Sequence, residues 1–242
     1  MLITIEDLAG RIEAACFAAL AAEAAASGPA AADDFLLVAE SLGAGGRLDV
    51  EDLRRRGLGG LPLCGEAGIL LRALPLALLS PLDRPSLRRD AQRCAALAMA
   101  DEGTVVTSVA AALLTADLLR FDLDTALIRV RQSLLEEAPI GLLQRLTPLQ
   151  PTQALMADED PSSALQMAVT ALDRGQGVPD VLGLLTEAPD PHASLTLGAV
   201  LAAVRDGLAG SDDSWLNAVP HRARASLIAR GLAEHAVGTR DT

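Results

Sequence analysis

Apolar residues return every third or fourth position through nearly the whole chain, and proline, glycine or aspartate fences each run. That spacing places the apolar side chains on one face of a helix, and the fences are the residues that start and stop helices. The runs predict helices over 5–26, 34–42, 48–57, 66–79 with an interruption at Pro75, 87–100, 103–119, 125–136, 161–173, 179–187, 192–209 and 219–235. Asp33, Asp49, Ser86 and either Asp122 or Asp124 stand where N-caps are expected. Pro161, Pro179 and Pro191 occupy expected first helical positions. With three Phe, one Trp and no Tyr, the core must come from Leu, Ala, Val and Ile. Alanine and leucine are strong helix formers, while the aromatic residues that favour strands are scarce. The expected fold class is all-α, and with neither a clean repeat nor a long linker the chain reads as one compact multi-helix domain over 1–242.

Charge narrows the function classes. The formal net charge is −12, which argues against nucleic-acid partners because phosphate contacts need a basic face. All 20 basic residues are arginine, and the one run, Arg54-Arg55-Arg56, sits before Gly57 as a helix end would. Three widely spaced cysteines, Cys16, Cys64 and Cys94, give neither a zinc pattern nor a disulfide framework. The acidic N-terminus lacks the basic start of a signal peptide. The apolar runs at 14–26 and 68–82 are interrupted by Glu23, and by Arg72 and Pro75. A soluble cytoplasmic protein without membrane partners is the expectation.

Two stretches carry candidate chemistry. In AAADDFLL, Asp33 and Asp34 open a helix in an alanine-rich setting; in EAPDPHAS, Asp190 and His192 do the same. Adjacent carboxylates can bind a hard cation, and they also suit a helix N-terminus through its unpaired N–H groups and dipole. Both readings stand at each stretch. His221 and His235 have no ligand-spaced partners, and Cys64 in its glycine-rich loop has no activating base nearby in sequence. Phosphate-loop, nucleophile-elbow, dinucleotide-binding and zinc-protease motifs are absent from the sequence.

Taken in order, the pieces resemble the ADP-ribosylglycohydrolase family, the helical hydrolases related to dinitrogenase-reductase-activating glycohydrolase. The family's opening helix, R-x-x-G-x-x-x-G-x-x-x-G-D-A-L-G, is similar to RIEAACFAALAAEAAA at 11–26, with alanines at its glycines and Glu23 at its aspartate. Its T-D-D-T resembles Ala32-Asp33-Asp34-Phe35. Its G-N-G-x-x-M-R-x-x-P-L resembles Glu66 to Leu76, with Ala67 for the asparagine and Arg72 for the arginine. Its G-G-D-T-D-T-N resembles Ala188 to Ser194, and a Trp-Leu pair follows at Trp215-Leu216.

The resemblance implies two facing helix starts that hold paired magnesium ions, which orient ADP-ribose for cleavage of its distal glycosidic bond. Carried over, Asp33, Asp34 and Asp190 remain as metal ligands, while Ala32, His192 and Ala193 stand at the other three positions. Glu23, Gly68 and Arg72 fall at substrate-binding positions, and Asp33, Asp34 and Glu66 are the candidate catalytic carboxylates. Magnesium wants oxygen donors, so the implied two-metal site is broken, leaving no cofactor or a single weakly bound magnesium at Asp33, Asp34, Asp190 and His192. Three functions follow as expectations. One is a degenerate pseudo-hydrolase that binds an ADP-ribose-like ligand or a protein partner. Another is a hydrolase of altered chemistry, with Asp33, Asp34 or Glu66 as general base on an N-ribosyl substrate and one metal or none. The third is a purely structural partner.

Overall fold

In a computed structural model, residues 4–26, 32–150, 153, 160–188, 192–207, 214–217 and 219–238 are described. Within them the chain forms thirteen α-helices and one 3₁₀ turn, and no strand. The order is α1 (Ile5–Ala25), α2 (Ala32–Gly45), α3 (Val50–Arg55), the turn Glu66–Gly68, α4 (Ile69–Leu79), α5 (Arg84–Ala96), α6 (Glu102–Leu118), α7 (Leu123–Leu134), α8 (Ile140–Arg145), α9 (Pro161–Arg174), α10 (Gly177–Thr186), α11 (His192–Asp206), α12 (Ser214–Asn217) and α13 (Arg222–Gly238). The expected all-α class is what the structure has.

Local chemistry sets most of the boundaries. Asp49, Asp83, Asp101, Asp122 and Asp160 each accept a backbone N–H two or three residues on, which satisfies a donor that the first helical turn leaves unpaired. Asp83, rather than the expected Ser86, caps α5, and Asp122 rather than Asp124 caps α7. Pro75 lies inside α4 rather than breaking it. The missing N–H costs one hydrogen bond, but every residue of α4 is buried, so packing on all sides holds the helix through it. Asp33 lies in the first turn of α2 rather than before it, because the helix begins at Ala32. The expected start at Pro191 and its cap Asp190 lie outside the described residues.

Leucine, alanine and valine from nearly all the helices form one continuous apolar core. A few side-chain contacts give the helix directions. Arg11 near the start of α1 donates to the carbonyls of Val204 and Arg205 at the end of α11, so these two run antiparallel. Helix α13 lies antiparallel to α1, with Ser226 on Glu13 and Arg222 over the Phe17 ring. It runs parallel to α2, where Gly231 meets Gly43 backbone to backbone. The end of α1 and the starts of α2, α11 and α13 therefore gather at one end of the bundle. Among the described residues no helix is long and apolar enough to cross a membrane.

Candidate functional site

That end of the bundle holds most of the residues singled out from the sequence. Asp34 points inward from the first turn of α2 and is 6% exposed. Its Oδ1 accepts from Arg72 Nε at 2.7 Å. Arg72, on the first turns of α4, is 2% exposed and also donates from Nη1 to the Leu58 carbonyl at 2.9 Å. Cys94 Sγ in turn meets the Arg72 carbonyl at 3.6 Å. Burial raises the Asp34 carboxyl above its ordinary value, and the Arg72 charge and hydrogen bond pull it back.

Asp33 faces the other way, toward solvent and α13. Arg224 Nη1 lies 3.5 Å from its Oδ1, and Arg224 Nη2 lies 3.8 Å from Glu40 Oε2. Glu23, from the last turns of α1, completes this outer group. Burial and the neighbouring Asp33 charge push its carboxyl up, against the pull of Arg224 and His221. A cleft of about 240 Å³ runs beside Arg224, between α2 and α13, over Gly43 and Gly231.

The remaining candidates divide. His192 and Ser194 open α11, the first half-buried and the second fully so. Ala32 and Ala193, where the resemblance has oxygen donors, are buried hydrocarbon. Glu66 is exposed on the 3₁₀ turn. Gly68 is buried beneath its own preceding loop: a Cβ there would overlap Cys64 Sγ and lie 2.7 Å from Pro62 Cβ. Its lack of a side chain lets that loop fold back, a need that exists with or without a ligand. Asp190 lies outside the described residues. Among the described residues no group of three or more His, Cys, Asp or Glu is arranged to hold a metal ion.

Arg224 and Glu40 were not singled out from the sequence, and His221, which has no ligand-spaced partner in sequence, joins them beside Glu23 only in the fold. One signal was available. Helix α13 opens with Arg222 and Arg224 and no acidic residue in its first turn, the wrong sign for the helix dipole. Two cations at an N-terminus imply carboxylates supplied from elsewhere.

Compared with known proteins, the sequence matches no model of a known family and no curated protein. The fold is similar to that of a solved structure described as an ADP-ribosylglycohydrolase-related protein complex, with a TM-score of 0.78 and 18% sequence identity. The likeness covers 96% of this chain and 99% of that one, which establishes an all-α fold of ADP-ribosylglycohydrolase type.

Proposed function

We propose that this protein is a pseudo-hydrolase, a chain of ADP-ribosylglycohydrolase fold that binds an ADP-ribose-like ligand or a protein partner without running the two-metal reaction. The observation that carries the reading is the ion pair of Asp34 with Arg72. A carboxylate that already accepts a buried guanidinium has little charge left for a cation. Drawing it to a metal would leave Arg72 buried without its counter-ion, a loss of about 3–5 kcal/mol. Asp33 has an arginine of its own in Arg224.

The other donors support the same reading. Magnesium takes a near-octahedral shell of oxygens, whereas the side chains of Ala32 and Ala193 offer none and that of His192 offers nitrogen. These residues do not fit a pair of magnesium ions. The reading accordingly takes no cofactor, or one weakly held magnesium.

The raised carboxyl of Glu23 favours a second reading, a hydrolase of altered chemistry acting on an N- or O-glycosidic bond with one metal or none. A carboxylate whose charged form is disfavoured by its surroundings holds a proton more readily than a free one, as general acid–base work requires. Thermal unfolding with ADP-ribose, in magnesium and in chelator, separates the two. A ligand that binds only the native state raises the midpoint. The pseudo-hydrolase reading expects a rise that does not need magnesium, and no release of ADP-ribose from a modified arginine. A magnesium-dependent rise with turnover that Asp33→Asn abolishes would establish the second reading instead. An unchanged midpoint in both media would remove the nucleotide ligand and leave a protein partner.

A further inference from the structure

At the other end of α4, away from Asp34, a second buried carboxylate holds two arginines. Asp117, in the last turn of α6, is 3% exposed. Arg84 Nη1, at the start of α5, lies 2.7 Å from both of its oxygens. Arg129 Nε, on α7, lies 3.3 Å from Oδ1. Arg84 Nη2 also donates to Ser133 Oγ at 2.7 Å, and that hydroxyl donates on to the Arg129 carbonyl at 2.9 Å. The Arg129 guanidinium lies over the Phe121 ring, 4.5 Å from its centroid, and Arg120 lies over the same ring at 5.2 Å. Both lining guanidiniums are thus held in place by fixed neighbours.

Two cations on one carboxylate leave one positive charge over. The nearby Arg88 does not change that balance, because Glu137 takes it. Arg84 alone is enough to neutralise Asp117. Arg129, with its side chain 39% exposed, adds little stability as a second partner. Above the pair lies a pocket of about 200 Å³ lined by Arg84, Arg129, Gln132 and Ser133. At about 30 Å³ per water, that is room for a compact polar group. In a chain of net charge −12, this local excess of positive charge stands out.

We propose that Arg84 and Arg129 form an anion subsite for a phosphate group, either inorganic phosphate or a phosphate monoester. Guanidinium forks match phosphate oxygens in pairs. The N–H groups left on the two arginines, with the Gln132 amide, outnumber the two oxygens of a carboxylate and suit the three or four of a phosphate. Asp117 acts as a positioning residue that fixes both forks.

The test is a titration with inorganic phosphate and, separately, glycerol phosphate, at ionic strength held constant with sodium chloride. It is read by ³¹P line broadening and by calorimetry. Phosphate salts stabilise proteins generally through exclusion, so the comparison between variants decides the outcome. Wild type and Arg54→Gln, altered at an exposed position of α3, are expected to bind alike, and Arg129→Gln to bind at least tenfold more weakly. Arg129→Gln leaves the Arg84–Asp117 pair in place. Should it fail to fold, Gln132→Glu, at an exposed position, puts a negative charge at the pocket mouth and is expected to weaken binding likewise. Binding of phosphate itself, or of the ester alone, tells which source the subsite takes. No binding of either, or equal binding by wild type and the pocket variants, would overturn the proposal.

Discussion

Asp34 and Arg72, 38 positions apart in sequence, form a buried ion pair with Arg72 Nε 2.7 Å from Asp34 Oδ1. Arg72 is the largest fully buried side chain among the described residues. Arg72→Met would leave an uncompensated buried carboxylate and is expected to cost about 3–5 kcal/mol in urea unfolding. The double variant Asp34→Leu/Arg72→Met removes both charges and should recover most of that loss. A double variant as unstable as the single one would mean that the pair does more than cancel its own burial.

Two glycines in helices should respond in opposite directions to the same change. A Cβ on Gly43 would sit 3.0 Å from Leu232 N and 3.1 Å from Gly231 C, where the backbones of α2 and α13 touch. Backbone cannot move aside as a side chain can, so Gly43→Ala is expected to destabilise. Nothing lies within 4 Å of a Cβ on Gly10, inside α1. There Gly10→Ala should stabilise by about 0.5–1 kcal/mol through helix propensity. Guanidinium unfolding of the two variants checks the contrast.

Stability should depend on pH in two opposite senses. Hydrogen bonds from the backbone N–H and side chain of Thr104 hold the Asp101 carboxyl below its ordinary 3.8. The native state therefore binds fewer protons than the unfolded chain across that interval. This contribution is complete above the ordinary value and is lost as pH falls through the folded one. Asp101→Asn keeps a capping side chain but cannot titrate, so it should flatten the acid limb of the stability curve. Glu23 runs the other way. Burial, then the Asp33 charge, raise its carboxyl above the ordinary 4.5. Its contribution is present below that value and is lost as pH rises through the folded one. Glu23→Gln should therefore leave the protein more stable than wild type at neutral pH, with the difference vanishing in acid.

The three cysteines should separate cleanly in a thiol titration. Burial pushes Cys16 and Cys94 up to about 12, so neither carries appreciable thiolate at neutral pH. Cys64 is half-buried on the loop before the 3₁₀ turn. One thiol, Cys64, is expected to react in the native protein, and all three after unfolding. Reaction of Cys94 in the native state would mean that α4 and α5 part readily.

What the sequence by itself determined is local. Helical periodicity and aspartate caps act over three or four residues, so the all-α class and most helix positions follow from neighbours alone. Asp101, Asp122 and Asp160 cap helices at or next to where the pattern placed them. Where neighbours compete, as Asp83 and Ser86 do before α5, the pattern chose the wrong one, because either can accept an N–H and only the turn of the chain decides. Pro75 was misplaced as a break because burial on every side outweighs one lost hydrogen bond. The tertiary structure alone decided what the carboxylates do. Asp33 and Asp34 are adjacent and chemically identical, yet one faces Arg224 from the last long helix and the other is sealed against Arg72. Successive residues on a helix point about 100° apart, so neighbours enter different surroundings, and a charge pair forms only where distant helix ends converge. That convergence is set by packing over the whole core.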